Sequence, residues 1–308
     1  MFGFKAKHNP TAAPLKIIIV GCGKVGITLV EQLSNEGNDL TLIDKNADLI
    51  GEVTNMYDVM GIVGNGASYS VQKEAGIDET DLLIAVTESD ELNLLCCTIA
   101  KQVAGCAAIA RVRTPDYSAE INYLREKLGL AMIINPEYEA AMEIARILYL
   151  PSALEVNPFA HGEAELIKFK IPGNCHIVGK SVMEFSRSTK QKMLFSAVER
   201  GSEVIIPNGS FVFEEGDIVS FVAPRKTGRQ CFKALGIETH QVHDCMIVGG
   251  GKASYYLGRQ LTRAGIHVKI IEWNKKRCEE LSLLLPEAII INGDGTDAEL
   301  LKEEGIET

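Results

Sequence analysis

Short apolar runs alternate with amphipathic stretches through the first half of the chain. Ile17–Val20, Leu40–Ile43, Val59–Val63, Leu82–Val86, Ala107–Val112 and Ala131–Ile134 are nearly continuous in aliphatic residues and bounded by glycine or polar residues. Such runs read as strands buried on both faces of a parallel sheet. Between them the apolar spacing lengthens to that of a helix over Val25–Asn35, Asp48–Tyr57, Tyr69–Ala75, Glu91–Val103 and Ser118–Leu128. A last helix, Glu137–Leu150, is opened by Pro136 and stopped before Pro151. Six strands alternating with helices predict an α/β domain built on a doubly wound parallel sheet.

The pattern then changes. Pro151–Phe159, with Pro158 and Asn157, reads as a linker. Strands are predicted over Ala164–Ile171, Lys192–Val198, Glu203–Ile206, Phe211–Phe213 and Asp217–Val222, with helices Ser181–Ser188 and Lys226–Leu235. This is a small α+β domain, and its His161 and His176 read as surface loop residues. From Cys245 the opening pattern returns: strand Cys245–Val248, a glycine cluster, helix Tyr255–Ala264, strand His267–Ile271 and an acid, Glu272. Gly21, Gly26 and Asp44 recur as Gly249, Ser254 and Glu272, each 228 positions on; Gly64-Asn65-Gly66 recurs as Gly293-Asp294-Gly295, 229 positions on. Register held this long is an internal duplication. The second copy stops at Thr308 after three strands, so a truncated chain or an edge completed by another subunit is expected. The segments expected are a tail over 1–14, a nucleotide-binding domain over 15–135, a helix and linker over 136–160, the α+β domain over 161–240 and the partial repeat over 241–308.

The first strand runs straight into Gly21-Cys22-Gly23-Lys24-Val25-Gly26. In this spacing Gly21 permits a tight turn, Gly23 lets a pyrophosphate approach the backbone and Gly26 lets the helix pack on the strand. Amides at the helix start attract phosphate. Asp44, 18 residues beyond Gly26, ends the second strand. It can accept from ribose hydroxyls and repels a 2′-phosphate, favouring NAD or an adenine nucleotide over NADP. Ligands of such sheets sit at the carboxyl ends of the strands. Those ends also carry Asn65 and Gly66, Thr87 and Glu88, and Arg111. Ser89 reads as a helix cap, Thr87 as a hydroxyl facing a ligand; Arg111 is either an ion-pair partner or a ligand contact.

Composition narrows the class. The chain has 308 residues and a net charge of −10 with no basic block, which argues against nucleic acid as a general partner. No apolar run reaches the length of a membrane span, and the N-terminal residues do not form a secretory signal. The eight cysteines form no C-x-x-C pair and read as reduced thiols of a cytoplasmic protein.

The ordered series GCGKVG, TLID, GNGAS, AVTESDELN and ARVRTPDY resembles the RCK (or KTN) family, the TrkA-type cytosolic regulators of Trk potassium uptake. IPGN, VGKSVMEF, SAVERG and GDIVSFVAP are similar to that family's small C-terminal lobe. The resemblance implies a Rossmann-like N-lobe, an α+β C-lobe and the start of a second Rossmann-like repeat. It also implies NAD(H), or ATP and ADP, as ligand, and a homo-oligomer, from dimer to ring, beneath a membrane-embedded Trk/Ktr-type potassium transporter subunit. The family's ligand contacts map onto Gly21, Cys22, Gly23, Lys24 and Val25, Asp44, Thr87, Glu88 and Arg111. In the second copy they map onto Gly249, Gly250, Gly251, Lys252, Ala253 and Glu272. The helix after Pro136 matches a crossover helix, with Ala140, Ile144, Ile147 and Leu148 as either a dimer contact or intrachain core.

The rival reading is an NAD-dependent oxidoreductase. Such an enzyme needs an acid or base beside the nicotinamide, yet no histidine lies between His8 and His161. A non-catalytic regulator is therefore expected.

Overall fold

The structure, a computed structural model, describes residues 13–118, 120–160, 163–224, 227–237 and 242–306. Most of the expected tail over 1–14, and His161 and Lys226, lie outside these residues. The chain divides into two compact units, 1–137 and 138–308.

The first unit runs β1 (Lys16–Val20), α1 (Lys24–Asn35), β2 (Asp39–Asp44), α2 (Ala47–Met56), β3 (Met60–Val63), α3 (Tyr69–Glu74), β4 (Leu82–Ala85), α4 (Asp90–Ala104), β5 (Ala107–Arg111), α5 (Pro115–Ser118), α6 (Ile121–Leu128) and β6 (Met132–Ile134). The strands pair in parallel in the order β3-β2-β1-β4-β5-β6, so the winding reverses between β1 and β4. Alternate residues of β1 supply opposite faces. Ile17 and Ile19 pack with Val30 and Val53 of α1 and α2, whereas Ile18 and Val20 pack with Cys96 and Ala100 of α4. Burial on both faces is why these strands are continuously apolar in sequence. The helix expected over Ser118–Leu128 is α6, which starts at Ile121, and a separate short helix, α5, precedes it.

The second unit takes most of α7 (Pro136–Tyr149), followed by β7 (Glu155–Phe159), β8 (Ala164–Lys170), α8 (Val182–Ser188), β9 (Leu194–Arg200), β10 (Glu203–Ile205), β11 (Ile218–Pro224) and α9 (Gly228–Leu235). Then come β12 (Asp244–Val248), α10 (Lys252–Arg263), β13 (His267–Glu272), α11 (Lys275–Leu284), β14 (Ile289–Asn292) and α12 (Ala298–Glu303). The middle strands form an antiparallel sheet ordered β10-β9-β11-β8-β7 over a core of Phe169, Phe185, Phe213, Phe221 and Phe232. Two expectations fail here. The supposed linker carries β7, which tolerates Pro158 because it lies at the sheet edge. Phe211–Phe213 is not a strand: the Phe211 amide turns back to the Asn208 carbonyl, and only an isolated bridge joins Val212 to Ser181.

The repeat is visible in the ladders. Lys16 pairs with Asp39, and Asp244 with His267, each 228 positions later; β12, β13 and β14 form a three-stranded parallel sheet. Its exposed residues include Trp273, the chain's single tryptophan, at 81% exposure. Helix α7 buries Ala141 and Ala145 against Tyr255, Tyr256 and Leu261, with Leu148 half-buried on the same core. Ile144 and Ile147, on its other face, are 43% and 65% exposed. Leu148 is thus intrachain core, while Ala140, Ile144 and Ile147 form an open stripe.

One ion pair in the antiparallel lobe is buried on its acidic side. Arg200 donates Nε and Nη2 to the two oxygens of Asp217, both at 2.8 Å, and Nη1 to Glu214. Burial alone would raise the Asp217 carboxyl, but the Arg200 bonds and the Glu214 amide outweigh it and hold it below its ordinary 3.8. Replacing Arg200 leaves this carboxylate buried without its cation. Arg200→Met is expected to cost about 3 kcal/mol at pH 7, read from urea midpoints. Because the folded pKa is the lowered one, the pair's contribution is complete at neutral pH and fades as pH falls below 3.8. The gap between wild type and variant should therefore narrow in acid.

Candidate functional site

The chain leaves β1 at Gly21 with φ +107°, where a Cβ would also press on the Thr87 amide. A Cβ on Gly26 would overlap the Gly21 carbonyl oxygen, so this glycine sets how closely α1 approaches β1. Gly23 is constrained differently: the place its Cβ would fill is empty space. It is the N-cap of α1, no side chain caps the helix, and the first intrahelical bond runs from Ile27 to the Gly23 carbonyl at 3.0 Å. The amides of the first turn are left without helical partners.

Asp44, the last residue of β2, holds this loop from below. Its Oδ2 accepts from the Cys22 amide at 2.7 Å and its Oδ1 from the Asn46 amide at 2.9 Å. The side chain is half-buried, and each oxygen retains capacity for another donor. The Cys22 thiol points into the core; burial, then the Asp44 charge, push it up to about 12.

Across the switch point, Thr87 and Arg111 are tied together. The Arg111 Nη2 donates to the Thr87 carbonyl at 2.7 Å, while its Nε is buried with no partner. Among the described residues no salt bridge joins it to a carboxylate, although the charges of Glu137, Asp90 and Glu88 act on it. Burial, then the neighbouring Arg113 charge, lower its pKa. Arg113 donates Nη2 to the Glu88 carbonyl and lies 3.7 Å from Glu137 in the first turn of α7.

These elements enclose a cavity of about 530 Å³ at the carboxyl ends of β1, β2, β4 and β5. Of the sequence candidates, Gly21, Gly23, Lys24, Val25, Asp44, Gly66, Thr87, Glu88 and Arg111 line it. Cys22, in the loop, and Gly26, in the first turn of α1, are buried behind it. Asn65 does not line it: its Oδ1 accepts from the Ala67 amide at 3.2 Å, shaping the turn. The Thr87 hydroxyl donates inward to Asn93 at 2.7 Å, and Ser89 caps α4 through the Leu92 amide at 3.1 Å. Lys45 and Arg113 also line the cavity and were not singled out; both directly follow or nearly follow a strand end, which is the signal that could have found them. Four cations, Lys24, Lys45, Arg111 and Arg113, face two carboxylates, Asp44 and Glu88. In a chain of net charge −10 this is a local excess of positive potential, suited to an anion. Asp44 and Arg111 end strands three spacings apart, about 14 Å, so a ligand touching both is extended.

The second copy repeats the loop, in the other unit. Gly249 has φ +95°, and Gly251 caps α10 with nearly the angles of Gly23. Glu272 accepts from the Gly250 amide at 2.6 Å and from Asn274 at 2.8 Å. Here the acid is only 7% exposed, and Arg277 donates to the Gly250 carbonyl at 2.7 Å as well. Lys252 and Ala253 form the first turn of α10.

Comparison with known proteins gives matches along nearly the whole chain. The TrkA-N domain model matches residues 17–136 and again 245–308, and the TrkA-C domain model matches 166–236. The Trk system potassium uptake protein TrkA of Halomonas elongata is 34% identical over 296 residues, covering 95% of this chain and 65% of its own length. A TrkA homolog 1 of Methanosarcina mazei is 32% identical over 301 residues, covering 95% of this chain and 73% of its own. The chain thus spans about two thirds of the length of these relatives. Among solved structures, the GsuK channel bound to NAD superposes with a TM-score of 0.67 at 17% identity, over 97% of this chain and 52% of that one. The GsuK RCK domain gives 0.67 at 18%, over 97% and 63%, which establishes the RCK fold. With TrkA-N matches on both copies of the repeat and a TrkA-C match between them, the chain belongs to the TrkA family.

Proposed function

We propose that this chain is a nucleotide-operated regulatory subunit of potassium uptake. One observation carries the reading: an uncapped glycine-rich helix start and a buried arginine with an unpartnered Nε border one cavity, with a carboxylate at its far side. Loop amides and Arg111 hold phosphate, and Asp44 accepts from a ribose. NAD(H) is the ligand favoured, with ATP and ADP as alternatives; a structural neighbour is a channel bound to NAD. Gly249 to Ala253 and Glu272 form a second, weaker candidate, since Glu272 is buried and Arg277 already occupies the Gly250 carbonyl.

The chain acts by biasing a conformational equilibrium rather than by turnover. A ligand shifts such an equilibrium only through unequal affinity for its states, typically about 1–3 kcal/mol per site. The partner is a membrane-embedded Trk/Ktr-type transporter subunit, and the chain works on the cytoplasmic side, at the inner face of the membrane. No described helix is long and apolar enough to cross a membrane itself. The open stripe Ala140, Ile144 and Ile147 is the contact for a second copy. The oxidoreductase reading is weaker: the lining offers cations and amides that hold a ligand, rather than an imidazole or phenol to move a proton. Thiol-based sensing is also disfavoured, since burial raises the Cys22, Cys96 and Cys97 pKa values where a reactive thiol needs a lowered one.

Calorimetry with NADH, ATP and ADP tests the site. Arg111→Met should weaken the ligand that binds by about 10–100-fold, the worth of a charge-assisted hydrogen bond. Asp44→Ala should weaken it too and narrow the preference for NADH over NADPH. If none of the three binds or raises the melting temperature, the reading fails. NADH should not be consumed with candidate 2-oxo acids or aldehydes; turnover would restore the oxidoreductase. Ile144→Asp with Ile147→Asp should lower the mass in solution by light scattering while leaving the circular dichroism unchanged.

A further inference from the structure

The first turn of α4 carries more polar chemistry than a helix start requires. Ser89 already caps it. Asn93, one turn on, is fully buried, and all four of its hydrogen-bonding positions are taken. Its Oδ1 accepts from the Thr87 amide at 2.8 Å and the Thr87 hydroxyl at 2.7 Å. Its Nδ2 donates to the Thr87 carbonyl at 3.1 Å and the Arg111 carbonyl at 2.9 Å. One side chain thus joins the exit of β4 to the last residue of β5. The Arg111 guanidinium rests on the same Thr87 carbonyl from the other side. Asp90, three residues earlier on the same helix face, does the equivalent for the next residues, accepting from the Arg113 and Thr114 amides at 3.0 and 2.8 Å.

A leucine at position 93 would fill a core site at no desolvation cost, whereas a buried amide is tolerated only when fully bonded. The bonds made here do not extend a helix or a sheet ladder. They fix the separation of two strand ends that border the cleft, and Asn93 itself does not line it.

We infer that Asn93 is a positioning residue: by tying Thr87 to Arg111 it aims the Arg111 guanidinium at the phosphate of a nucleotide. This rests on the reading of the cleft as a nucleotide site. Loss of Asn93 leaves Arg111 in place but free to turn, so binding loses the arginine's contribution without losing the cavity.

The test is a double-mutant cycle by calorimetry on the full chain, with NADH and ADP as probes. Asn93→Ser is expected to weaken binding at least tenfold and to flatten its dependence on ionic strength. In an Arg111→Met background it should weaken binding no further, because the group it aims is gone. Losses that add, or an unchanged salt dependence, overturn the inference while leaving the nucleotide site standing. Wild-type protein that binds neither probe overturns both. Should Asn93→Ser fail to fold, Asn93→Asp keeps the shape and both bonds from Thr87 while setting an oxygen against two carbonyls, and the same cycle applies to it.

Discussion

A carboxylate that grips the amide of a glycine loop is the interaction on which the nucleotide-type fold of this chain turns. The loop must pass between β1 and α1 where only glycine fits: Gly26 abuts the Gly21 carbonyl, and Gly21 abuts the Thr87 amide. Such a loop has few side chains with which to order itself, the buried Cys22 thiol among them. Asp44 supplies the order from the neighbouring strand through the Cys22 amide, and Glu272 does so in the second copy through Gly250. The two copies differ in how much capacity remains. Asp44 is half-buried and borders the cavity, whereas Glu272 is buried and Arg277 grips the same loop from its other side.

Much of this was legible in the sequence because its causes are local. Continuous aliphatic runs mark strands covered on both faces, and glycine spacing marks the turn that follows the first. The duplication was legible because register survives even where residues change, as Ser254 and Glu272 show against Gly26 and Asp44. What escaped depends on partners distant in sequence. Pro158 looks like a strand breaker until β8 is known to lie on one side of it only. Asn65 sits at a strand end like the other candidates, yet its side chain closes its own turn. Asn93 lies within a motif readable as a capped helix, but its task is set by the Arg111 carbonyl, 18 residues away. The setting of Arg111 likewise depends on distant residues: its guanidinium rests on the Thr87 carbonyl and its Nε is buried without a partner.

The cleft is also linked to the chain that leaves it. Arg113 lines the cavity, bonds the Glu88 carbonyl and lies within ion-pair distance of Glu137, in the opening turn of α7. A charge arriving in the cleft therefore acts on a cation shared with the start of that helix. In α7 itself, small residues, Ala141 and Ala145, face its own lobe, and the larger Ile144 and Ile147 face outward. The helix is thus packed on one side and available on the other.

Trp273 gives the molecule an optical property that comes free with its composition. It is the only indole in the chain, it is largely exposed, and it belongs to the second copy of the repeat, directly after Glu272. Ultraviolet emission from unlabelled protein excited at the red edge therefore reports on that copy alone. A shift in its emission colour on adding a nucleotide that does not absorb there, such as ADP, would report a change around the second copy, with no dye attached.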